Sequence, residues 1–202
     1  MTFTSSHVTV SADGFMAGPG QTLDDPLGRG GEELHRWMFA DDRTEVDVRW
    51  REDISRPRDA YVMGRNMFGP VRGTWESYGA EWSGWWGDEP PYHAPVFVLT
   101  HHEREPVEMA GGTTFHFVTD GFDAALARAR AVGDGDVLVA GGASTVRQAL
   151  AAGELDELWL EISPVVLGSG ERIFDGTVTP RLEIVAAEHS PLATHVRYRV
   201  LR

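Results

Sequence analysis

Apolar residues follow two spacings along the chain, and the two alternate. Short apolar runs predict buried strands at Val8 to Val10, 59–64, 95–100, 113–118, 136–140 and 158–162. Segments in which apolar side chains recur every three or four residues predict helices over 31–39, 43–54, 122–132 and 143–152. Because strands and helices alternate, we expect an α/β fold with a mostly parallel central sheet flanked by helices on both faces.

The C-terminal part of the chain has a different pattern. Two strands are predicted, over 181–187 and 194–201, with no helix between them. In the second, Val196 and Tyr198 alternate with Arg197 and Arg199, which is typical of a half-buried strand. We therefore expect an antiparallel C-terminal hairpin at one edge of the sheet. With 202 residues, the chain is expected to form one domain over 1–202.

A segment over 69–95 lacks both spacings. It is rich in glycine and proline, Gly79 among them, and contains four tryptophans, Trp75, Trp82, Trp85 and Trp86. So much aromatic area is unlike a disordered segment. We expect a packed loop that covers part of the molecule and shields the site of reaction from water.

Charge and composition narrow the function. Acidic residues number 31 and basic residues 18, all of them arginine, which gives a net charge of −13. This balance argues against nucleic-acid partners and anionic membranes. The absence of cysteine excludes disulfides, thiolate metal ligands and a cysteine nucleophile, and we expect no metal site. No basic leader with a long apolar run is present, so a cytoplasmic protein is expected.

The strongest local motif is the turn Gly141-Gly142 between a predicted strand and a predicted helix. Two glycines let the backbone approach a ligand, and the helix that begins at Ala143 offers free N–H groups to an anion. Ser144 or Thr145 could donate a hydrogen bond to phosphate. The alternative is a tight turn in which Ser144 or Thr145 caps the helix.

Two further strand ends carry polar groups. Gly64, Arg65, Asn66 and Met67 follow one strand, and Thr100 with His101 follows the next. Each end alone has a structural explanation, but together with Gly141-Gly142 they favour a ligand with several phosphates, such as an adenine dinucleotide. The arginine and histidine favour NADPH over NADH, because they suit an extra ribose phosphate.

Six motifs occur in an order that resembles a known family. They are S-x-D-G-F-x-A-G, V-M-G-R-x-M-F, W-W-G-D-x-P-P-Y-H-x-P-V-F-V-L-T-H, T-F-x-F-V-T-D-G, V-x-G-G-A-x-T-x-R-Q-x-L and D-E-L-x-L-x-I-x-P-V-V-L-G-x-G-x-R-I-F. The chain resembles the bacterial dihydrofolate reductase-like proteins related to the C-terminal reductase domain of the riboflavin-biosynthesis enzyme RibD. The resemblance covers about residues 5 to 201.

The resemblance implies a dihydrofolate-reductase-like fold that binds NADPH. It implies that Gly64 to Asn66, with Thr100 and His101, hold the adenosine-phosphate half, and that Gly141 to Thr145 hold the pyrophosphate. The loop from Asp13 to Ala17 would border the nicotinamide and the substrate. The candidate catalytic residues are Asp13, as proton donor unless a bound water has that role, and Glu33, as the helix acid.

The implied activity is NADPH-dependent hydride transfer to a pterin- or aminouracil-like substrate, as in 5-amino-6-(5-phosphoribosylamino)uracil reductase. Riboflavin-pathway reductases commonly have a lysine after the D-G of the first loop, where this chain has Phe15. The alternative is a non-catalytic nucleotide-binding or ligand-sequestering protein that keeps the cofactor pocket. A homodimer is expected from the family, with the C-terminal hairpin as one possible interface.

Overall fold

The computed structural model describes residues 2–70, 72–78 and 82–202 and contains a nine-stranded sheet. The strands of the chain are β1 (Thr4–Ser11), β2 (Phe15–Ala17), β3 (Ala60–Gly64), β4 (Pro95–Leu99), β5 (Val107–Glu108), β6 (Thr114–Val118), β7 (Val137–Gly141), β8 (Glu157–Ser163), β9 (Glu171–Arg172), β10 (Arg181–His189) and β11 (Thr194–Leu201). The α-helices are α1 (Arg36–Phe39), α2 (Glu45–Ile54), α3 (Arg65–Phe68), α4 (Phe122–Arg130) and α5 (Ala143–Ala151). Short 3-10 helices cover Gly31–His35, Trp75–Tyr78 and Ala110–Gly112.

The order of strands in the sheet is β10-β11-β8-β1-β7-β3-β4-β6-β5. The six strands from β8 to β6 in that order run parallel, whereas β10, β11 and β5 pair antiparallel with their neighbours. The predicted α/β fold, with a mostly parallel sheet and an antiparallel C-terminal hairpin, is confirmed. Strands β2 and β9 form a separate antiparallel pair that the sequence did not predict, because each has only two or three residues.

Helices α4 and α5 cover one face of the sheet. Alternate residues of β1, β3, β7 and β8 pack there in one cluster, which includes Val8, Val62, Val139 and Leu160. The opposite face is covered in two parts. The segment 31–54, with Trp37 and Trp50 buried, packs over β8 and β11, and the aromatic loop packs over β3, β4 and β6. On this second face α1 and α2 cover one half, whereas the other half has only the short helix α3 beside the aromatic loop, so the expectation of helices across both faces holds only in part.

The aromatic loop replaces a helix on that half of the sheet. Trp75 and Trp82 pack against a cluster built around Phe68 and Phe115. The indole N–H of Trp75 donates to the carbonyl of His102 at 2.9 Å, and that of Trp82 donates to the carbonyl of Phe68 at 3.0 Å. The prediction of a packed loop is confirmed for Trp75 and Trp82, whereas Trp86 is 53% exposed, and Gly79 lies outside the described residues. The rings of Trp75 and Trp82 pack over β3, β4 and β6, and the expected role of the loop in shielding the site of reaction from water stays a prediction.

Strand β1 separates from β7 soon after it begins. The two strands pair only at Thr4–Val137 and Ser5–Leu138, whereas β1 pairs with β8 over seven positions, from Ser5 to Ser11. The chain builds β3, β4, β6 and β7 on one side of β1 and then crosses to β8 on the other. Such a reversal in strand order opens a crevice at the carboxyl ends of parallel strands, where ligands of α/β sheets bind.

Candidate active site

The carboxyl ends of β3 and β7 come into contact beside this crevice. A Cβ atom on Gly64 would lie 2.7 Å from Thr145 Oγ1 and 3.6 Å from the backbone nitrogen of Gly142. Any side chain at Gly64 would therefore push against the start of α5. Two of the predicted cofactor segments, Gly64 to Met67 and Gly141 to Thr145, thus meet at a point that only glycine allows.

Three other segments converge on Gly141. This residue has φ +123°, which favours glycine. A Cβ atom there would lie 3.4 Å from Met16 Cε, 3.5 Å from Met67 Sδ and 4.0 Å from Val8 Cγ1. Strand β2, helix α3 and strand β1 therefore border the crevice around Gly141.

The beginning of α5 faces open space. A Cβ atom on Gly142 would meet nothing within 4 Å, and the N–H groups of Thr145 and Val146 donate to the Gly142 carbonyl at 3.0 and 3.1 Å. The preceding N–H groups, of Ala143 and Ser144, belong to the first turn and point out of the helix. Gly142 is the N-cap and no side chain caps the helix, so the alternative role of Ser144 or Thr145 as N-cap is wrong.

Arg65 lies at the end of β3 but is held against the aromatic loop. Its guanidinium donates to the backbone carbonyls of Gly73 and Thr74 and stacks 4.1 Å from the centre of the Trp75 ring. Asn66, the next residue, is exposed. A phosphate at this end of β3 would therefore compete with the two carbonyls for the guanidinium.

Thr100 and His101 lie beside Arg65, because Gly64 pairs with Leu99 in the parallel β3–β4 ladder. The Thr100 N–H donates to Val118 O at 3.0 Å, and its hydroxyl accepts from the His102 N–H at 3.1 Å. His101 is exposed. The three predicted strand ends, of β3, β4 and β7, thus form one rim.

Asp13 anchors the loop after β1. Its carboxylate accepts hydrogen bonds from the Ser11 hydroxyl at 2.6 Å, the Leu167 N–H at 3.1 Å and the Gly168 N–H at 2.7 Å. The Ser11 hydroxyl, with these two N–H groups, lowers the pKa of Asp13 to about 2. An ionised carboxylate carries no proton to donate at neutral pH, so these surroundings favour a structural role over that of proton donor.

Phe15 and Ala17 belong to the β2–β9 pair. Ala17 is buried and pairs with Glu171. Phe15 is buried too, and the Arg172 guanidinium lies 4.0 Å from the centre of its ring while donating to the Asp13 carbonyl at 2.7 Å. A cation therefore stands beside Phe15, the position at which riboflavin-pathway reductases commonly have lysine.

Glu33 lies on the outer side of its 3-10 helix. The side chain is 60% exposed, and its carboxylate is 4.0 Å from Arg36. The inner residue of this helix is Leu34, which is fully buried and whose carbonyl accepts from the Ser163 hydroxyl. The structure therefore does not bring Glu33 to Gly141, and its assignment as the helix acid is not supported.

A different carboxyl group is buried on β8, the strand next to β1, and the sequence patterns do not indicate it. Glu161 of β8 is fully buried, and neither of its carboxyl oxygens has a hydrogen-bond partner. Burial raises the pKa of Glu161 to about 8. The sequence held a partial signal, since Glu161 alternates with Leu160 and Ile162, but strand alternation predicts solvent on that face. Only the packing of 31–54 over β8 buries it.

A buried polar network adjoins Glu161. Asp47 of α2 accepts from the Thr44 N–H and hydroxyl, from the Ser190 hydroxyl at 2.6 Å and from His195 Nε2 at 3.1 Å. Burial alone would raise the pKa of Asp47, but the bonds from Ser190 and Thr44 outweigh it and lower the pKa. Burial lowers the pKa of His195. A neutral His195 donates through Nε2, so its Nδ1 is an acceptor, and it has no partner.

No group of three His, Asp or Glu side chains in the described ranges is placed to hold a metal ion. Within the same ranges, none of the helices has the length and apolar character needed to cross a membrane.

Solved structures with the same fold come from riboflavin-pathway proteins. A putative riboflavin biosynthesis protein from Shewanella sp. PV-4 is 21% identical, with a TM-score of 0.67 and full coverage of both chains. A deaminase/5-amino-6-(5-phosphoribosylamino)uracil reductase from Thermotoga maritima is 18% identical, with a TM-score of 0.56. The superposition covers 99% of this chain and 57% of the Thermotoga protein. A pyrimidine reductase-like protein from Corynebacterium diphtheriae is 18% identical, with a TM-score of 0.54. The superposition covers 100% of this chain and 92% of the Corynebacterium protein.

The sequence itself gives the family. No curated protein sequence matches the chain. A family model described as the RibD C-terminal domain matches residues 3–196, and these residues include the crevice, the glycines around it and the strand ends that form the rim. The dihydrofolate-reductase-like fold expected from the sequence motifs is confirmed, and the chain belongs to the RibD C-terminal domain family.

Proposed function

We propose that the protein is an NADPH-dependent reductase. It transfers hydride to a C=N or C=O carbon of a pterin- or aminouracil-like substrate, and 5-amino-6-(5-phosphoribosylamino)uracil, which the Thermotoga enzyme is named for reducing, is the first candidate. The observation that carries the proposal is the meeting of Gly64, Gly141 and Gly142 at the crevice between β1 and β7. Family membership supports the same reaction class.

The rim fits a dinucleotide. A pyrophosphate needs N–H donors and backbone without side chains, and the open space at Gly142 in front of α5 offers both. The Thr145 hydroxyl, next to Gly64, adds a donor. At the ends of β3 and β4, Arg65 and His101 suit the extra phosphate of NADPH. Arg65 would exchange its two loop carbonyls for this phosphate.

The bound cofactor would supply the hydride, and the protein would supply position and an apolar environment. Met16, Met67 and Val8 surround Gly141, so they would exclude water from the reacting carbon. Asp13 would hold the loop after β1 in place, because its carboxylate joins that loop to Leu167 and Gly168. The proton for the substrate would come from another group or from a bound water.

Arg172 would contribute to substrate binding. Its guanidinium lies over Phe15 at the loop that borders the crevice. An anionic substrate would meet there the positive charge that a lysine supplies in riboflavin-pathway reductases.

The second candidate is a non-catalytic protein that binds the nucleotide or sequesters a ligand. The observation in its favour is Phe15, which removes the lysine from the substrate side while the glycine rim is kept. The two candidates differ in one measurement. The reductase oxidises NADPH when an aminouracil, pterin or quinone substrate is added, whereas the non-catalytic protein binds NADPH without oxidising it.

The proposal is tested by NADPH titration followed by thermal unfolding. At a concentration one hundred times Kd, NADPH should stabilise the wild-type protein by about 2.7 kcal/mol. Gly142→Val should fold normally, since a Cβ there meets no protein atom, but its side chain would fill the space for the pyrophosphate. The NADPH-dependent rise in Tm should therefore disappear.

Ala152→Val, at the exposed far end of α5, is the matched control and should respond to NADPH as the wild type does. If Gly142→Val kept the wild-type affinity for NADPH, the rim would not be the pyrophosphate site. If the wild type gained no stability at all, the proposed function would be wrong.

A further inference from the structure

Arg147 of α5 makes its bonds outside its own helix. Its guanidinium donates to the backbone carbonyl of Arg172 on β9, and its Nε lies 3.2 Å from the Asp175 carboxylate. Only 21% of the Arg147 side chain is exposed. A planar guanidinium that binds two acceptors at once keeps little freedom to move. Arg147 therefore fixes α5 and the chain at β9 relative to each other.

The anion of this pair, Asp175, is itself held in place. Its carboxylate accepts hydrogen bonds from the Thr177 hydroxyl at 2.6 Å and from the Thr177 N–H at 3.0 Å. The Thr177 hydroxyl and N–H, more than the charge of Arg147, lower the pKa of Asp175, so the carboxylate is ionised at neutral pH. Exposed ion pairs contribute little because two mobile side chains must be ordered. Here Thr177 has already ordered one of them.

Strand β9 is joined closely to β2. Arg172 pairs with Phe15 in the antiparallel ladder, and the Arg172 guanidinium donates to the Asp13 carbonyl at 2.7 Å. Just before β9, Gly170 lies so near the Ala17 carbonyl that a Cβ atom on it would overlap with the oxygen. A shift of β9 would therefore carry β2 with it.

Met16 is the residue of β2 that reaches the crevice. The ladder is irregular between Phe15 and Ala17, and Met16 lies between these two paired residues. Its Cε is 3.4 Å from the position of a Cβ atom on Gly141. The position of β2 therefore sets how closely Met16 approaches Gly141.

The two ends of this series of contacts lie on the two sides of the proposed cofactor site. Helix α5 begins after the open N-cap Gly142, where the pyrophosphate would bind, and Arg147 lies on the second turn of the same helix. At the other end, β2 carries Met16 at the crevice where the nicotinamide and the substrate would meet. Arg147 thus joins the helix that would hold the cofactor to the strand pair that borders the reacting groups.

We propose that Arg147 is a positioning residue for hydride transfer, which holds β2 and Met16 at a fixed distance from the start of α5. The inference rests on the proposed reductase function. Arg147 acts through β9 and β2, and with Asp175 it sets the width of the crevice. Hydride transfer requires the donor and acceptor carbons to be held almost in contact, so a small widening of the crevice slows the reaction steeply.

The first test measures the position of Met16 without any turnover. Methyl NMR on protein with isotope-labelled methionines follows its six methionines, and Met16→Leu assigns the Met16 signal. Arg147→Gln should shift or broaden the Met16 signal and leave that of Met38, which packs with Trp37 and Trp50, unchanged. A Met16 signal identical to that of the wild type would overturn the inference.

The second test uses NADPH and 5-amino-6-(5-phosphoribosylamino)uracil. Arg147→Gln should bind NADPH with wild-type affinity, because the open cap at Gly142 is unchanged, while kcat falls about tenfold to a hundredfold. An ion pair that only stabilises the fold would lower Tm and leave kcat as it is. Arg147→Lys keeps a cation for Asp175 and should recover part of kcat.

Two further variants complete the test. Asp175→Asn removes the charge of the partner and should lower kcat in the same direction but less, which covers the case of a misfolded Arg147→Gln protein. Arg49→Gln is the matched control, because Arg49 also joins a helix to a strand through an ion pair, with Glu188 at 2.6 Å. It should keep the wild-type kcat and the wild-type Met16 signal.

The outcomes separate the inference from the proposed function. Arg147→Gln and Asp175→Asn variants that turned over substrate at the wild-type rate would overturn the inference and leave the proposed function intact. A wild type in which NADPH moved neither the Met16 nor the Met67 signal would instead overturn the proposed function, and the inference with it, since both residues lie beside Gly141.

Discussion

Three carboxyl groups in this protein differ in protonation because their surroundings differ. Asp13 and Asp47 accept hydrogen bonds from hydroxyl and N–H groups, which lower their pKa values. Glu161 has no such partner and is protonated near neutral pH. A sequence cannot distinguish these cases, since the donors to Asp13 include Leu167 and Gly168, more than 150 residues away. For the same reason, the sequence offers Asp13 and Glu33 as candidate catalytic residues and gives no indication that Glu161 is buried.

A residue-scale prediction concerns the choice between NADPH and NADH. Arg65→Ala should weaken NADPH binding by roughly 1.5–3 kcal/mol, the range for hydrogen bonds to charged groups. NADH binding should change little, because NADH lacks the extra phosphate. Calorimetric titration with both cofactors measures the difference. Equal losses for the two would mean that Arg65 acts only by holding the loop at Gly73 and Thr74.

Among the elements, β1 departs most from its sequence pattern. Only Val8 to Val10 were predicted, yet the strand runs over Thr4–Ser11 and every residue is buried. Several of its polar side chains are paired inside the protein: the Ser6 hydroxyl donates to Val139 O at 2.7 Å, and the Ser11 hydroxyl accepts from the Phe15 N–H at 2.9 Å. The polar residues before Val8 predict that the strand begins there. Hydrogen bonds to distant parts of the chain satisfy these residues and allow the strand to begin at Thr4.

Helix α2 gives a prediction at this scale. Asp47 caps it through Thr44 and links it to Ser190 and His195, so one carboxylate joins the helix to the C-terminal hairpin. Asp47→Ala would leave these donors unmet and should cost about 1–3 kcal/mol for each buried unmet donor in urea unfolding. Glu45→Ala, exposed in the same helix, should cost far less. Similar losses for both variants would mean that the network contributes little.

For the whole molecule, the sequence predicts the α/β architecture and the rim of strand ends. It does not predict that the segment 31–54 packs over β8 and β11. Glycines at strand ends and repeated apolar spacings are local, so Gly64, Gly141 and Gly142 could be found without a structure. The placement of 31–54 over β8 is set by packing between distant segments, for example of Trp50 on Trp159. The buried acid depends on that packing and could not be predicted.

The oligomeric state is a further prediction at this scale. We propose a homodimer through the C-terminal hairpin, since β10 is an edge strand of the sheet and carries Ile184 with 66% exposure. Exposed apolar side chains on an edge strand favour association. Light scattering after size exclusion should give twice the 22.3 kDa mass, and Ile184→Lys should shift it towards the monomer. A monomeric wild type would contradict this proposal.

The stacking of Arg65 on Trp75 has a practical consequence. A cation held against an indole ring perturbs its excited state, and here the same cation is the one proposed to meet the phosphate of NADPH. When the guanidinium moves from the ring to the phosphate, the emission of Trp75 should change in intensity or wavelength. The protein would then carry an intrinsic fluorescent reporter of cofactor arrival, with no added dye.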